Sequence, residues 1–341
     1  MKIQPAQKIQ LFVIVTFAIL LLIFSADYLG GVEHNIDSPG LQESRQWVLQ
    51  TRSKLANSNA KIVVVGNSMA GYGFDETLFS QISGKSTINV WRKGSASAWF
   101  YLAIKNLVLI EKNPRNLVII FRDNILTRPN LRTWGRFKHD IDALIDHDAS
   151  LLDELAYLNH KNTQYYLSSY LPLFKDRSLW SDKVKFSIES FVSQNLLGIE
   201  VGQLISSLNQ LFTFNGILYR EAGIQSYYSS TQLQPENLRF AENLERSFLP
   251  HIVALCKQHR VKLTIIRLQR LVDEEKLRDT GLLENYIDEL SEYAKNEGFR
   301  LIDFTDKNWL QRNHYSSNDH LNTAGKEQFT REIYRQLNQT K

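Results

Sequence analysis

Five short apolar runs, separated by stretches long enough for a helix, constrain this chain more than anything else in it. They are Lys61–Val65 (KIVVV), Ser86–Val90 (STINV), Asn116–Phe121 (NLVIIF), Val261–Arg267 (VKLTIIR) and Arg300–Phe304 (RLIDF). Continuous rather than alternating apolar character suits strands buried on both faces, as in parallel sheets. Residues 39–58, with apolar Leu41, Trp47, Val48 and Leu55, read as a helix. Trp99–Ile110, Glu236–His259, Leu282–Glu297 and Thr323–Leu337 read as further helices, Glu236–His259 being long and amphipathic. Alternation of this kind predicts an α/β fold with about five parallel strands and helices on both faces.

A length of 341 residues allows one large or two small domains. With 43% hydrophobic and 22% charged residues, full disorder is excluded. A net charge of +4 is too small to imply a nucleic-acid partner. One cysteine, Cys256, excludes an internal disulfide and a cysteine-rich zinc site. A mean hydropathy of −0.28 excludes a polytopic membrane protein.

One segment departs from the soluble pattern. Leu11–Ser25 reads LFVIVTFAILLLIFS, without charge, and with Ala26, Tyr28 and Leu29 it approaches the ~20 residues that cross a bilayer. Lys2 and Lys8 precede it; Asp27, Glu33 and Asp37 follow. The positive-inside rule then puts the N-terminus in the cytoplasm and the main domain outside, periplasmic or extracellular. Cleavage of a signal peptide after Ala26 would place bulky Phe24 at the −3 position, so an uncleaved single-pass anchor in the cell membrane is favoured. The expected division is tail and anchor over 1–31, contacting membrane through 9–31, then a juxtamembrane helix or linker over 32–57 and the main domain over 58–341.

Residues 138–232 interrupt the alternation. The stretch is helical in character and aromatic, with Tyr165, Tyr166, Tyr170, Phe174, Trp180, Phe186, Phe191, Phe212, Phe214, Tyr219, Tyr227 and Tyr228. It reads as a helical insertion between the third and fourth strands. It is either a subdomain with its own core or a lid or docking surface for a membrane or partner.

The first strand runs into Gly66-Asn67-Ser68-Met69-Ala70-Gly71. A serine immediately after a buried strand sits at the carboxyl edge of the sheet, where open α/β folds place their sites. The plain alternative is a strand-to-helix turn with a serine cap. His320-Leu321-Asn322-Thr323-Ala324-Gly325 precedes the closing helix, in a loop after the fifth strand. That puts His320 on the same sheet edge as Ser68, so nucleophile and base could meet in space. His34, His139, His147, His160, His251, His259 and His314 show no metal-ligand spacing, and no metal or cofactor is expected. No phosphate-cradling glycine loop or dinucleotide fingerprint is present in the sequence.

Gly66-Asn67-Ser68 resembles the first block of the SGNH (GDSL-type) hydrolase superfamily, with Asn in place of the commoner Asp. His320-Leu321-Asn322-x-x-Gly325 resembles its last block. The likeness extends over about residues 58–125 and 235–338. It implies a flavodoxin-like sheet, a serine nucleophile, a histidine base and ester chemistry. It also implies two oxyanion donors: the backbone N–H of Gly94, in the place of the second-block glycine, and the side chain of Asn124. The third block departs from the family's Gly-x-Asn-Asp, reading Phe121-Arg122-Asp123-Asn124. In the last block Ser317 stands where the family has Asp, three residues before the histidine. Asp319 is the nearest candidate to orient His320, but neighbouring side chains in an extended segment point apart. It would need a bent loop; Asp306, or a bare Ser–His dyad, are the alternatives.

Arg122, Arg128, Arg132, Arg136 and Lys138 form a basic stretch after the third strand. It is either a solvated face or, with Asn67, a subsite for an anionic polymer or carboxylate, which guanidinium groups suit. One N-terminal span before an SGNH-like domain resembles the partner subunits of membrane-bound O-acyltransferases. This implies a multi-span acyltransferase partner and a carbohydrate or polymer acceptor. The expected activity is therefore that of an extracytoplasmic serine esterase or O-acyltransferase. A simple lipase or esterase, or a non-catalytic envelope protein on a degenerate scaffold, are the rivals.

Overall fold

The computed structural model describes residues 39–111, 114–128, 132, 137–145, 150–152, 154–155, 235–268, 270–271, 281–305, 309–317 and 319–338. The expected anchor, Arg136, Asp306 and all the aromatic residues named in the insertion lie outside these.

Five strands form one parallel sheet: β1 (Ile62–Gly66), β2 (Thr87–Trp91), β3 (Asn116–Phe121), β4 (Lys262–Arg267) and β5 (Arg300–Asp303). Their spatial order is β2-β1-β3-β4-β5. It reverses direction at β1, and in open α/β sheets the crevice at such a reversal is where ligands bind. The register sets Gly66 beside Ile120 of β3 and Trp91 of β2.

The apolar runs are continuous because each strand feeds two cores. Val63, Val65, Leu117, Ile119, Leu263 and Ile265 face one side. They pack with α1 (Pro39–Asn57), α4 (Ser97–Ala103), α7 (Leu249–Gln258) and α8 (Leu282–Glu297), through residues such as Val48, Phe100, Ile252 and Tyr286. Ile62, Val64, Val118, Ile120, Ile266 and Ile302 face the other side. There they meet α2 (Ser68–Gly73), α3 (Glu76–Ser83) and α9 (Thr323–Asn338), through Met69, Phe79, Phe329 and Ile333. Alternate residues of a strand point to opposite faces, so one tetrad, Ile62 to Val65, supplies both layers.

Two helical expectations change in detail. Ser97–Ala103 continues into a π-helical segment, Ile104–Val108, before a last α turn at Leu109–Glu111. The single long helix expected over Glu236–His259 is instead a 3₁₀ turn (Pro235–Leu238), α6 (Phe240–Leu244) and α7. Pro250 explains the break: its ring lacks an N–H and would strike the preceding turn of a continuous helix. The new helix starts at Leu249, whose N–H is taken by Ser247 Oγ at 3.3 Å. The start of the expected insertion is tied to the body of the fold. In α5 (Lys138–Asp142), Asp140 accepts from Ser44 of α1 at 2.8 Å and pairs with Arg92 at 2.6 Å.

Among the described residues no helix is long and apolar enough to cross a membrane.

Candidate active site

The site begins where β1 ends. At Gly66 a Cβ would lie 2.8 Å from the Ile120 carbonyl oxygen and 2.7 Å from Ala70 Cβ, so only glycine lets α2 start this close to β3. Asn67 is extended (φ −97°) and caps α2: its side-chain oxygen accepts from Met69 N–H at 2.9 Å. Its amide nitrogen lies 3.4 Å from the Ser95 carbonyl. Asn67, expected among the substrate-binding residues, thus has its side chain engaged in holding the turn. Ser68 follows as the first residue of α2, only 7% exposed.

His320 arrives from the C-terminal loop. Its Nε2 is 2.9 Å from Ser68 Oγ. On the far side of the ring, Nδ1 is 2.9 Å from Asp319 Oδ1 and 3.1 Å from Ser317 Oγ. A carboxylate at Nδ1 favours the tautomer protonated there, which leaves Nε2 as an acceptor for the serine hydroxyl.

A sharp bend lets two consecutive residues face each other. Ser316 N–H and Ser317 N–H both donate to the His320 carbonyl, at 2.9 and 3.4 Å. Ser317 Oγ accepts from His320 N–H at 3.2 Å and donates to Asp319 Oδ1 at 3.1 Å. Tyr315 and Leu321 close the loop with an antiparallel bridge. Gly325, in the first turn of α9, lies so close to the loop that a Cβ there would lie 2.2 Å from the His314 carbonyl oxygen.

Two adjacent residues at the end of β3 pair with different loops. Arg122 forms an ion pair with Asp319 Oδ2, both side chains being 21% exposed. Asp123 is in the left-handed region (φ 51°), a conformation Asp tolerates better than most residues. Its carboxylate accepts from both Nε and Nη2 of Arg270, at 3.0 and 2.6 Å, in a buried pair. The Arg270 carbonyl in turn accepts from Tyr315 Oη at 3.0 Å. The Asp319 carboxyl is held well below the usual carboxylate range. Burial opposes this, but the His320 hydrogen bond and the charges of Arg122, His320 and Arg270 outweigh it.

The remaining expected residues are placed as follows. Gly94 has φ 77°, and its carbonyl accepts from Arg132. Asn124 is buried and donates its side-chain amide to the Asn237 carbonyl at 2.6 Å, which leaves one amide proton. Arg128 is half-buried where the turn after β3 closes, its N–H bonded to the Asn124 carbonyl at 2.9 Å. Arg122, expected to face an anionic substrate, instead has its guanidinium paired with Asp319.

Sequence reasoning missed three contributors. Ser317 stood out only as a departure from the family pattern, yet it touches both Asp319 and His320. The partnership of Arg122 and Asp319 spans 197 residues, beyond any local signal. Tyr72, 43% exposed, sets its ring edge-on to His320 at 5.0 Å between centroids and lies 5.6 Å from Trp91. Among the described residues no group of three His, Cys, Asp or Glu side chains could hold a metal ion. The arrangement thus offers a hydroxyl, a ring nitrogen positioned to take its proton, and a carboxylate fixing that ring.

No family model and no curated protein matches the sequence. Solved structures are similar at low level. A GDSL-like lipase from Bacteroides thetaiotaomicron has a TM-score of 0.38 and 10% identity, over 87% of this chain and 99% of that one. An alpha/beta hydrolase enzyme from the metagenome of Lake Arreo has a TM-score of 0.36 and 10% identity, over 82% and 94%.

Proposed function

We propose that the protein is a serine acyl-ester enzyme in which Ser68 is the nucleophile, His320 the general base and Asp319 the group that orients it. One observation carries the reading: the Ser68 Oγ···His320 Nε2 contact of 2.9 Å, continued at Nδ1 by Asp319. In this mechanism Nε2 takes the hydroxyl proton while Oγ attacks the acyl carbonyl. The imidazolium returns that proton to the leaving alkoxide, giving an acyl-serine. Water or a sugar hydroxyl, deprotonated by the same nitrogen, then releases the acyl group. The N–H groups of Ser68 and Gly94, with the remaining amide proton of Asn124, are the proposed oxyanion donors.

The finer assignment is an anchored extracytoplasmic enzyme that hydrolyses or transfers acyl groups on a cell-envelope carbohydrate or polymer, with a multi-span acyltransferase as partner. Its support is the uncharged Leu11–Ser25 segment, with the likeness of the two sequence blocks to SGNH proteins. Arg128 and Arg132 are the proposed contacts to an anionic acceptor.

The test is turnover of an aryl acetate by the full-length protein in its membranes, with and without a polysaccharide acceptor. Acyl transfer to the acceptor that disappears in Ser68→Ala supports the transferase form. Rapid Ser68-dependent hydrolysis without acceptor or partner supports the plain esterase. No Ser68-dependent turnover under either condition points to a non-catalytic envelope protein.

A further inference from the structure

Asp319 and His320 are consecutive, and consecutive side chains normally diverge. The bend at Ser316–His320 turns them toward each other, but its bonds are local to residues 315–321. The loop as a whole is seated over the sheet by Leu321, buried in the core with Ile62 and Val64, and by Tyr315, which packs there and donates to the Arg270 carbonyl. At the carboxylate itself the tie is Arg122, just past the end of β3, the strand directly paired with β1. Ser68 is placed from β1, so Arg122 refers the Asp319–His320 couple to the same rigid sheet as the nucleophile.

The two Asp319 oxygens divide the work. Oδ1 faces His320 Nδ1 and Ser317 Oγ, while Oδ2 meets Arg122. A half-buried carboxylate is held charged more firmly by a cation or several donors beside it. With Arg122 on one oxygen, the carboxylate is held ionised and its other oxygen stays aimed at the ring. Arg270, tied to Asp123 and through its carbonyl to Tyr315, braces the same loop from the end of β4.

We infer that Arg122 is a positioning residue: it holds Asp319 so that a carboxylate adjacent in sequence to His320 can orient the base. The inference rests on the reading of Ser68 and His320 as nucleophile and base. It gives Arg122 a role in turnover rather than in substrate binding, and the two roles leave different kinetic signatures.

The experiment is steady-state kinetics of the full-length protein on a small neutral aryl ester and on a carboxylate-bearing analogue. The proteins compared are wild type, Arg122→Met, Arg122→Lys, Asp319→Asn and the Arg122→Met/Asp319→Asn double variant. Arg122→Met should lower kcat about 10–100-fold on both esters while KM changes less than about two-fold. Arg122→Lys should recover part of the loss, since the charge is kept without the planar guanidinium. The double variant should be little worse than Asp319→Asn alone, because both changes remove one orienting unit. The acid limb of the pH–rate profile of Arg122→Met should move to higher pH, as one of the two arginine charges that oppose protonation of Asp319 is then lost while Arg270 remains. Thermal melts identify any variant that fails to fold, and Arg122→Lys keeps the test usable in that event.

Wild-type kcat and an unmoved pH profile in Arg122→Met would overturn the inference. So would a rise in KM confined to the anionic ester, which would return Arg122 to the substrate. If the wild type shows no Ser68-dependent turnover, the underlying reading falls and this inference falls with it. Normal wild-type turnover with unaltered Arg122→Met rejects the inference alone.

Discussion

Ser68 is positioned by its immediate neighbours in the chain and the Asp319–His320 couple by distant side chains. Within a few residues of Ser68, a buried strand ends, Gly66 admits the helix against β3, and Asn67 caps that helix. His320 sits in a loop seated on the core by Leu321 and tied to the sheet by Arg122 and, through Tyr315 and Arg270, by Asp123. The nucleophile therefore inherits the rigidity of the sheet. The orientation of the base rests in addition on ion pairs made by distant side chains.

Removing either end of the reactive pair should have the largest effect. Ser68→Ala and His320→Ala should each lower kcat by about 10⁴-fold or more, and the double variant should be little worse than either, as for groups acting as a unit. Full additivity in a kinetic cycle would show that the two side chains act separately.

Next in size is the buried pair behind the loop. Arg270→Met leaves the Asp123 carboxylate in a buried position without its cation, a change that costs about 3–5 kcal/mol. Chemical denaturation checks the stability. The variant should lose activity along with it, since the Tyr315 contact is to the Arg270 backbone and depends on this residue staying in place.

Gly66→Ala probes the Ser68 side of the comparison. The added methyl meets backbone of β3 as well as Ala70, so the expected cost is about 1–3 kcal/mol in denaturant unfolding. A neutral result would mean that α2 is free to shift and that Ser68 is held less firmly than its loop partner.

The smallest expected effect is acid sensitivity. The Asp319 carboxyl is depressed in the folded state, whereas in the unfolded chain it takes up its proton near pH ~4. Its contribution to stability is therefore complete above that pH and is lost as the pH falls toward the folded-state value, where native and unfolded chains bind the proton alike. Wild type should lose more thermal stability than Asp319→Asn between about pH 5 and about pH 2. Equal losses would show that the depressed carboxyl contributes nothing to folding.

The same contrast explains what the sequence discloses. KIVVV running into Gly66-Asn67-Ser68 carries strand, turn, cap and nucleophile in eight consecutive residues, so fold class and candidate serine are both legible there. NLVIIF and Leu282–Glu297 keep their predicted bounds because the apolar run of the first and the helical periodicity of the second are both local. The long helix expected over Glu236–His259 divides because Pro250 acts locally against a pattern that ran through it. From the sequence Asp319 is a poor geometric partner for His320, because side chains alternate along an extended backbone. The bend that makes it feasible is built from Ser316 and Ser317 bonding back to His320. In the sequence Arg122 belongs to a basic stretch, since nothing local distinguishes an arginine that meets a carboxylate 197 residues away.

The most direct test of the Ser68–His320 pair is covalent labelling of the full-length protein with a fluorophosphonate, read by intact mass and peptide mapping. The wild type should take up one adduct, on Ser68. Ser68→Ala should take up none, and His320→Ala should label at least about 100-fold more slowly, because the hydroxyl loses its base. An unlabelled wild type, an adduct on another residue, or equal labelling rates in wild type and His320→Ala would contradict the account.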